Sequence, residues 1–407
     1  MDLKQLETIF DKNLGKNKKI VDIKSSNLVE KGENNGGELF KLDITVKNEE
    51  TKEDSVLHVV GKTIPLIEKF QEIFNIQVTF KAEIIFYDKI VPILQQFQKE
   101  NGMKNVITCF PKFYGGRLNL NGSNTVDKDG IIIMENLKMS GYTNLDRHVG
   151  YNLKESMLLL KDLAEFHSTV IAFKLKHPDL FFKEIRPVCN NHLQLSEENS
   201  FKDVIGIVEE ILLQSKECTP YVPKIRKMWN EFKPDFSGEN KREPFATITH
   251  SDLWVNNAMM KYVNGEPVKN KFVDFQLYNY GSPGFDILNF LFTSVQTNVL
   301  RMKFDDLIRF YHNEFVNNIK RLDCEYSKFS YSKFLKELEL DSVQVLNWDL
   351  SFIPMVAFGQ KGHALPDSNV VDFNDAQFKA MMVNNIPEEA KRRLHFMIEE
   401  YINRKWL

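Results

Sequence analysis

The stretch that decides the fold is "ITHSDLWVNNAMMKY", residues 248–262, in which a histidine, an aspartate, a tryptophan and two asparagines stand between apolar flanks. A buried polar side chain is costly unless it is hydrogen-bonded. So many of them in one place therefore indicate a functional loop. They follow the spacing His250-x-Asp252-x-x-x-x-Asn257, and Asp274 follows 22 residues after Asp252 at the end of an apolar strand in "FVDFQ".

Residues around this loop give clear secondary-structure signals. The segment "AMMKYVNGEPVKNKFVDF" predicts a short hairpin that turns at Asn264-Gly265. It is followed by "GSPGFDILNFLFTSV", which predicts a turn that opens an apolar helix. From there to Leu407 the pattern indicates mostly helices.

The first third of the chain has a different character, since residues 20–62 predict three strands. The segment "ELFKLDITV" alternates apolar and polar residues, and "VLHVVGKTI" places Lys62 on one face of the third strand. A helix is predicted across "FKAEIIFYDKIVPILQQF", kinked by Pro92. Glu83 lies on or beside its apolar face, where it either borders the stripe and reaches water or needs a buried partner.

Two further strands, "FPKFYGG" and "GIIIMENL", complete the first part, and beyond Leu137 the pattern becomes helical. The helix "ESMLLLKDLAEFHSTVIAF" is preceded by Asn152 and begins with Glu155, a plausible capping pair. We interpret His167, beside its apolar stripe, as a packed core histidine. The change in pattern predicts two domains, residues 1–137 and residues 138–407.

Composition narrows the possible partners. The formal net charge of −3 provides no basic field for nucleic acid or for an anionic membrane. No segment has the roughly 20 apolar residues of a membrane span, so we expect a cytoplasmic protein with neither of those partners. The four cysteines form no CxxC pair, which indicates free thiols and not a zinc ribbon or a disulfide framework.

The polar residues fit the chemistry of phosphoryl transfer, which depends on positioning and charge neutralisation. Asp274 and Asn257 offer the hard oxygen ligands that Mg²⁺ prefers. Asp252 fits the role of the group that orients the acceptor hydroxyl and receives its proton. A lysine that reaches nucleotide phosphates must be held extended, and the pair Lys62 and Glu83 fits that need.

The order of these residues resembles the kinase-like superfamily, and "HSDLWVNN…VDFQLYNYGSPGFDILNFLF" resembles the ecdysteroid-kinase-like (CHK) family, a relative of choline and aminoglycoside kinases. The resemblance implies an α+β, two-lobed protein-kinase-like fold with a small antiparallel-sheet lobe and a larger, mostly helical lobe. It implies ATP and Mg²⁺ as cofactors. It also implies an adenine-binding hinge formed by "MENL", that is Met134, Glu135, Asn136 and Leu137.

Two departures from the family pattern affect the expectations. Ser251 stands where the family usually has glycine, so a backbone φ above zero there would be strained, and we expect reduced or unaltered activity. The turn "KGENNGG" supplies Gly32, Gly36 and Gly37 without a GxGxxG pattern. It is either a phosphate-covering loop or a flexible hairpin turn.

The sequence thus predicts an ATP-dependent kinase that phosphorylates a hydroxyl of a small apolar molecule such as an ecdysteroid. The alternatives are a choline- or aminoglycoside-type kinase of a polar alcohol and a kinase-like protein that binds ligands without turnover. Only 12 positions separate Asp274 from Asp286, which leaves no room for the activation segment of a protein kinase. A hydrolase that uses His250 and Asp252 as metal ligands would leave Lys62 unexplained.

Some residues of the decisive stretch have structural interpretations. We expect His250 to brace the loop, and we interpret Asp286 as a helix cap and not as a catalyst. Trp254 fits either the core or a wall of the acceptor site.

Overall fold

The N-terminal part of the chain is a five-stranded antiparallel sheet with the order β1-β2-β3-β5-β4. A computed structural model describes residues 6–10, 14, 17–28, 37–189, 204–232, 242–358 and 376–407. Gly32 and Gly36 lie outside the described residues. The strands are β1 (Lys18–Asn27), β2 (Glu38–Asn48), β3 (Asp54–Thr63), β4 (Phe113–Arg117) and β5 (Ile131–Glu135).

The two faces of this sheet serve different purposes. The alternation in β2 is confirmed, because Leu42 and Ile44 are buried in a small cluster on one face. Lys62 in β3 lies opposite Ile132 of β5, and Ile132 belongs to the main core on the other face. Lys62 therefore points toward the helices and not into the small cluster.

The helix predicted after β3 is divided into pieces. Before it come α1 (Leu6–Phe10) and α2 (Glu68–Ile73); the helix itself consists of α3 (Ile76–Ile85), a π-helical turn (Phe86–Ile90) and α4 (Val91–Glu100). Pro92 lies in the first turn of α4, where its missing N–H costs least. The predicted kink is thus a π-helical turn just before the proline. Such turns are common at functional sites.

The C-terminal part is mostly helical, as predicted. Asn152 and Glu155 form the predicted capping box at the start of α5. Its helices are α5 (Leu153–Lys176), α6 (Pro178–Leu180), α7 (Ile205–Leu212), α8 (Val222–Glu231), α9 (Pro283–Ser294), α10 (Thr297–Arg321), α11 (Tyr331–Phe358), α12 (Ala376–Asn385) and α13 (Glu388–Asn403). Further short turns are a π-helix at Phe181–Ile185 and 3₁₀ helices at Arg186–Val188, Thr219–Tyr221 and Val255–Asn257.

Two small sheets lie between these helices and position the polar loop. They contain β6 (Tyr142–Thr143), β7 (Thr247–Thr249), β8 (Ala258–Val263), β9 (Glu266–Phe272) and β10 (Asn279–Gly281), paired in the orders β6-β8-β9 and β10-β7. The predicted hairpin is β8-β9, and its turn residues Asn264 and Gly265 both have positive φ, which suits the right-handed twist of the strands.

The predicted fold class is confirmed: a small antiparallel sheet precedes a larger helical part. One continuous core joins α3 and α4 to the helices of the C-terminal part. The division into domains 1–137 and 138–407 stays a prediction. In the part of the chain that the structure describes, no helix has the length and apolar character needed to cross a membrane.

Candidate active site

The loop between β7 and β8 holds Asp252 and Asn257 against each other. The Nδ2 of Asn257 donates to the Oδ2 of Asp252 and to its backbone oxygen, each at 2.8 Å. The 3₁₀ turn Val255–Asn257 shortens the path between the two residues, which brings these side chains together. Because the amide nitrogen of Asn257 is occupied, its Oδ1 is the atom that the side chain can offer to a cation.

His250 braces this loop from within. Its Nε2 donates to the backbone oxygen of Val273 at 2.9 Å, and its Nδ1 accepts from the backbone N–H of Asp252 at 3.3 Å. Burial lowers the pKa of His250, which favours the neutral imidazole that these bonds require. Both ring nitrogens are engaged, so neither has a lone pair for a metal. This geometry counts against the metal-hydrolase alternative.

Ser251 has φ of +65°, in the left-handed region where glycine is favoured. The backbone at this position therefore has the strained conformation that was expected for a serine in place of the family's glycine. Its hydroxyl lies 2.8 Å from that of Thr249, and its N–H donates to Asp286 Oδ1 at 2.8 Å. These contacts hold a conformation that costs about 1 to 2 kcal/mol in a residue with a Cβ.

Asp286 does not cap its helix, and the interpretation made from the sequence is wrong on this point. The helix is capped by Ser282, which accepts from the N–H of Gly284. Asp286 is fully buried; its Oδ2 accepts from the N–H of His250 at 2.6 Å and lies 3.2 Å from Nε2 of His167. It fixes the backbone of the loop. Its presence inside the apolar run "GFDILNFLF" was the signal that it needed a buried partner.

Lys62 joins three distant parts of the chain. Its Nζ lies 2.6 Å from Oε2 of Glu83 and 2.6 Å from Oδ1 of Asp274, and Lys62 is only 3% exposed. Glu83 is 0% exposed, so it takes the buried partner and not the solvent-facing position. Burial alone would lower the pKa of Lys62, but the two carboxylates outweigh it and raise that pKa.

Burial also raises the pKa values of Glu83 and Asp252. Burial, with a smaller effect from Asp274, raises the pKa of Glu83 to about 7, and the charge of Lys62 opposes the rise. Burial and the charge of Asp274 raise the pKa of Asp252 well above its ordinary value, against the hydrogen bond from Asn257. A cation at Asp274 would favour the ionised form of both groups.

Phe275, which sequence reasoning did not single out, connects Asp274 to the helix that carries Glu83. Its fully buried ring stacks on Phe86 of the π-helical turn, with centroids 3.8 Å apart and planes 7° apart. On the other side its centroid lies 4.4 Å from that of His250. The residue after the metal-ligand candidate thus contacts both the loop and the helix.

The predicted hinge residues follow one another at the end of β5. The N–H of Glu135 donates to Lys112 at 2.8 Å, and the Oδ1 of Asn136 accepts from the N–H of Met139 at 3.3 Å. The N–H of Leu137 has no acceptor among the described residues. Leu137 also belongs to a small apolar cluster with three residues from other elements, Tyr142, Met259 and Val273. The end of the predicted hinge thus combines an unused backbone donor with an apolar cluster.

The residues present fit a divalent cation that is completed by phosphate and water. Among the described residues, no three His, Cys, Asp or Glu side chains group closely enough to hold a metal alone. Asp274 and Asn257 are nevertheless joined, because the N–H of Val273 donates to the backbone oxygen of Asn257 at 2.9 Å. One carboxylate and one amide oxygen match the sparse protein ligation typical of Mg²⁺.

The chain is a phosphotransferase of the kinase-like class that acts on hydroxyl groups of small molecules, as its family membership shows. The chain belongs to the ecdysteroid kinase-like family, whose sequence profile matches residues 31–324. The resemblance inferred from the motifs is confirmed.

Comparison with solved structures finds similar kinases of low identity. An ethanolamine kinase of Plasmodium vivax is 15% identical with a TM-score of 0.40, covering 95% of this chain and 83% of its own. A choline kinase from Cryptosporidium parvum is 11% identical with a TM-score of 0.40, covering 95% and 91%. A spectinomycin phosphotransferase in complex with ADP and its antibiotic is 11% identical with a TM-score of 0.40, covering 93% and 94%. No curated protein matches the chain. Because the identities and TM-scores are low, the family match carries the assignment.

Proposed function

We propose that the protein is an ATP- and Mg²⁺-dependent kinase that phosphorylates a hydroxyl group of a small apolar compound such as an ecdysteroid. The observation that carries the proposal is the position of Lys62. Its Nζ contacts both Glu83 on the neighbouring helix and Asp274 beside the catalytic loop, at 2.6 Å each. A cation held between these two carboxylates supports the proposal, because it would contact the nucleotide phosphates.

The residues that would bind the nucleotide lie on two sides of the site. On one side, the free N–H of Leu137 would donate to the adenine ring, with Met134, Glu135 and Asn136 forming the rest of the hinge. On the other, Lys62 would contact the phosphates while Glu83 holds it extended. Gly37 lies against the end of β3, where a Cβ would collide with the backbone oxygen of Thr63. A glycine is therefore required at this close approach.

Asp252 would orient the acceptor hydroxyl and receive its proton. In this step the acceptor oxygen forms a bond to the terminal phosphorus, the bond from that phosphorus to the ADP oxygen breaks, and the hydroxyl proton passes to Asp252. The raised pKa of Asp252 makes it a stronger proton acceptor once it is ionised. The bond from Asn257 to its Oδ2 leaves Oδ1 for the hydroxyl.

Asp274 and Asn257 would hold the metal. A bound Mg²⁺ supplies neutralisation of the phosphate charge. In the structure Asp274 is paired with Lys62, so the lysine must share or release this carboxylate when the nucleotide binds. We expect Asp274→Ala to lose Mg²⁺-dependent nucleotide binding. Unchanged affinity for Mg·ATP in calorimetry would remove Asp274 from the metal site.

The experiment that tests the function is incubation with Mg·ATP and a panel of sterols, ecdysteroids, choline and aminoglycosides, followed by mass spectrometry. The proposal predicts a product heavier by one phosphate from a neutral polyhydroxylated sterol. Phosphocholine as the only product would instead favour a kinase of small polar alcohols. Acceptor binding without any ATP consumption would identify a ligand-binding protein that lacks turnover.

A further inference from the structure

We propose that Trp254, Phe352 and Trp348 form an aromatic wall that binds the apolar body of the acceptor. This inference rests on the proposed function and assigns residues to its acceptor side. The three side chains are half-buried, and they come from two elements, the catalytic loop and α11. The ring of Phe352 contacts the rings of both Trp254 and Trp348, and Trp254 is two residues from the proposed catalytic Asp252.

Trp254 fixes one end of the wall to the chemistry. It is two residues from Asp252, which limits the distance between their Cα atoms to roughly 7 Å. Its backbone oxygen accepts from the N–H of Asn257 at 2.9 Å, so it also starts the turn that positions the amide. Trp254 is therefore close enough to Asp252 for one small molecule to contact both residues.

The other two rings extend the surface along one face of α11. Trp254 meets Phe352 edge to face, with centroids 5.2 Å apart and planes at 88°. Phe352 and Trp348 are one helical turn apart, and their rings are nearly parallel at 20° with centroids 6.2 Å apart. Within the described part of the chain, Trp254 packs against the main core, whereas neither Phe352 nor Trp348 does. Two adjoining rings outside the core leave an apolar patch that an apolar molecule can cover.

The charge around the wall selects the kind of acceptor. Between Ser342 and Phe358 the only charged residue of α11 is Asp349. It is fully buried and accepts from Nδ2 of Asn289 at 2.7 Å, on the core side of the helix. The segment of α11 that carries Phe352 and Trp348 thus offers no carboxylate to a polycationic acceptor such as an aminoglycoside. Large rings without charge fit a neutral, polycyclic alcohol.

The test compares ring-removing variants with a matched tryptophan elsewhere. We expect Trp254→Leu and Phe352→Leu to raise the KM for a polyhydroxylated sterol at least about tenfold, which corresponds to about 1.4 kcal/mol. The dissociation constant for Mg·ATP should not change. Trp406→Leu is the control, because Trp406 packs on Tyr401 at the C-terminus, and it should leave both constants unchanged. Trp254→Phe should retain most of the sterol affinity, which separates a contact with the acceptor from a folding defect.

Failure of the wall and failure of the kinase proposal give different results. If wild-type protein phosphorylates the sterol and both leucine variants keep its KM, the wall is wrong and the kinase stands. If the sterol quenches the tryptophan fluorescence of wild-type protein but receives no phosphate, the kinase proposal fails. In that case loss of the quenching in Phe352→Leu, which keeps both tryptophans of the wall, still supports the wall. If choline is the acceptor whose KM depends on these rings, the inferred preference for a neutral molecule is refuted.

Discussion

Replacing Asp286 with asparagine should disable the catalytic loop without touching nucleotide or metal. Each oxygen of this buried carboxylate accepts one backbone N–H of the loop, from His250 at 2.6 Å and from Ser251 at 2.8 Å. Asparagine has one oxygen, so one of the two amides would face an NH₂ group and lose its acceptor. A hydrogen bond to a charged group contributes about 1.5 to 3 kcal/mol. This exceeds or matches the roughly 1 to 2 kcal/mol of left-handed strain at Ser251. The loop should therefore relax.

The assay measures phosphate transfer to the best acceptor of the panel, together with Mg·ATP affinity and thermal unfolding. If about 2 kcal/mol is lost from the reactive loop conformation, the rate falls roughly 30-fold. Ser282→Ala is the matched control, because it removes the cap of the same helix. That change should cost about 1 kcal/mol of stability and leave the rate nearly unchanged. A rate in Asp286→Asn equal to that of Ser282→Ala would refute the bracing role.

Three further predictions follow from the same geometry. Ser251→Gly relieves about 1 to 2 kcal/mol of strain. It also loses the contact with Thr249 and gives the unfolded chain more conformational entropy, so its free energy of unfolding should stay within about 1 kcal/mol of that of wild type. Ser251→Ala keeps the strain and should be the less stable variant in urea titration; the reverse order would contradict this reasoning. Because Asp252 must be ionised to receive a proton, its raised pKa predicts that kcat/KM falls as pH is lowered, with the fall beginning well above the ordinary value of about 3.9. A profile flat down to about pH 4 would contradict it. Lys62→Met leaves Glu83 buried without its partner and should cost about 3 to 5 kcal/mol of stability in thermal unfolding. Adding Glu83→Gln should recover part of that loss but not the activity, and no recovery would contradict the pairing.

The sequence predicted most where the spacing of apolar residues and the chemistry of the polar side chains point to the same contact. The strand period placed Lys62 on one face of β3, and the helix period placed Glu83 near an apolar stripe. A buried carboxylate needs a cation, which made their pairing predictable, and their side chains are 2.6 Å apart. Asp252 and Asn257 lie only five residues apart, so a tight turn was enough to join them.

What sequence reasoning missed depends on contacts between distant segments. Asp286 resembles a helix cap in the sequence, because it is an aspartate that follows a proline-containing turn at a helix start. Only the packing of α9 against the loop turns its carboxylate toward His250. Phe275 is one apolar residue among many, and its stacking on Phe86 is set by tertiary packing. The hinge residues carry no chemical signal of their own, since a free backbone N–H such as that of Leu137 depends on which strands pair. Their roles and those of the metal-ligand candidates stay predictions.

The decisive measurement is the rate of phosphate transfer from Mg·ATP by Asp252→Asn beside wild type, with nucleotide affinity determined on both proteins. The substitution keeps the size of the side chain and removes its ability to accept the hydroxyl proton. We predict that transfer falls by orders of magnitude while the dissociation constant for Mg·ATP stays close to that of wild type. Near-normal turnover in Asp252→Asn would contradict the assignment of this loop as the catalytic centre.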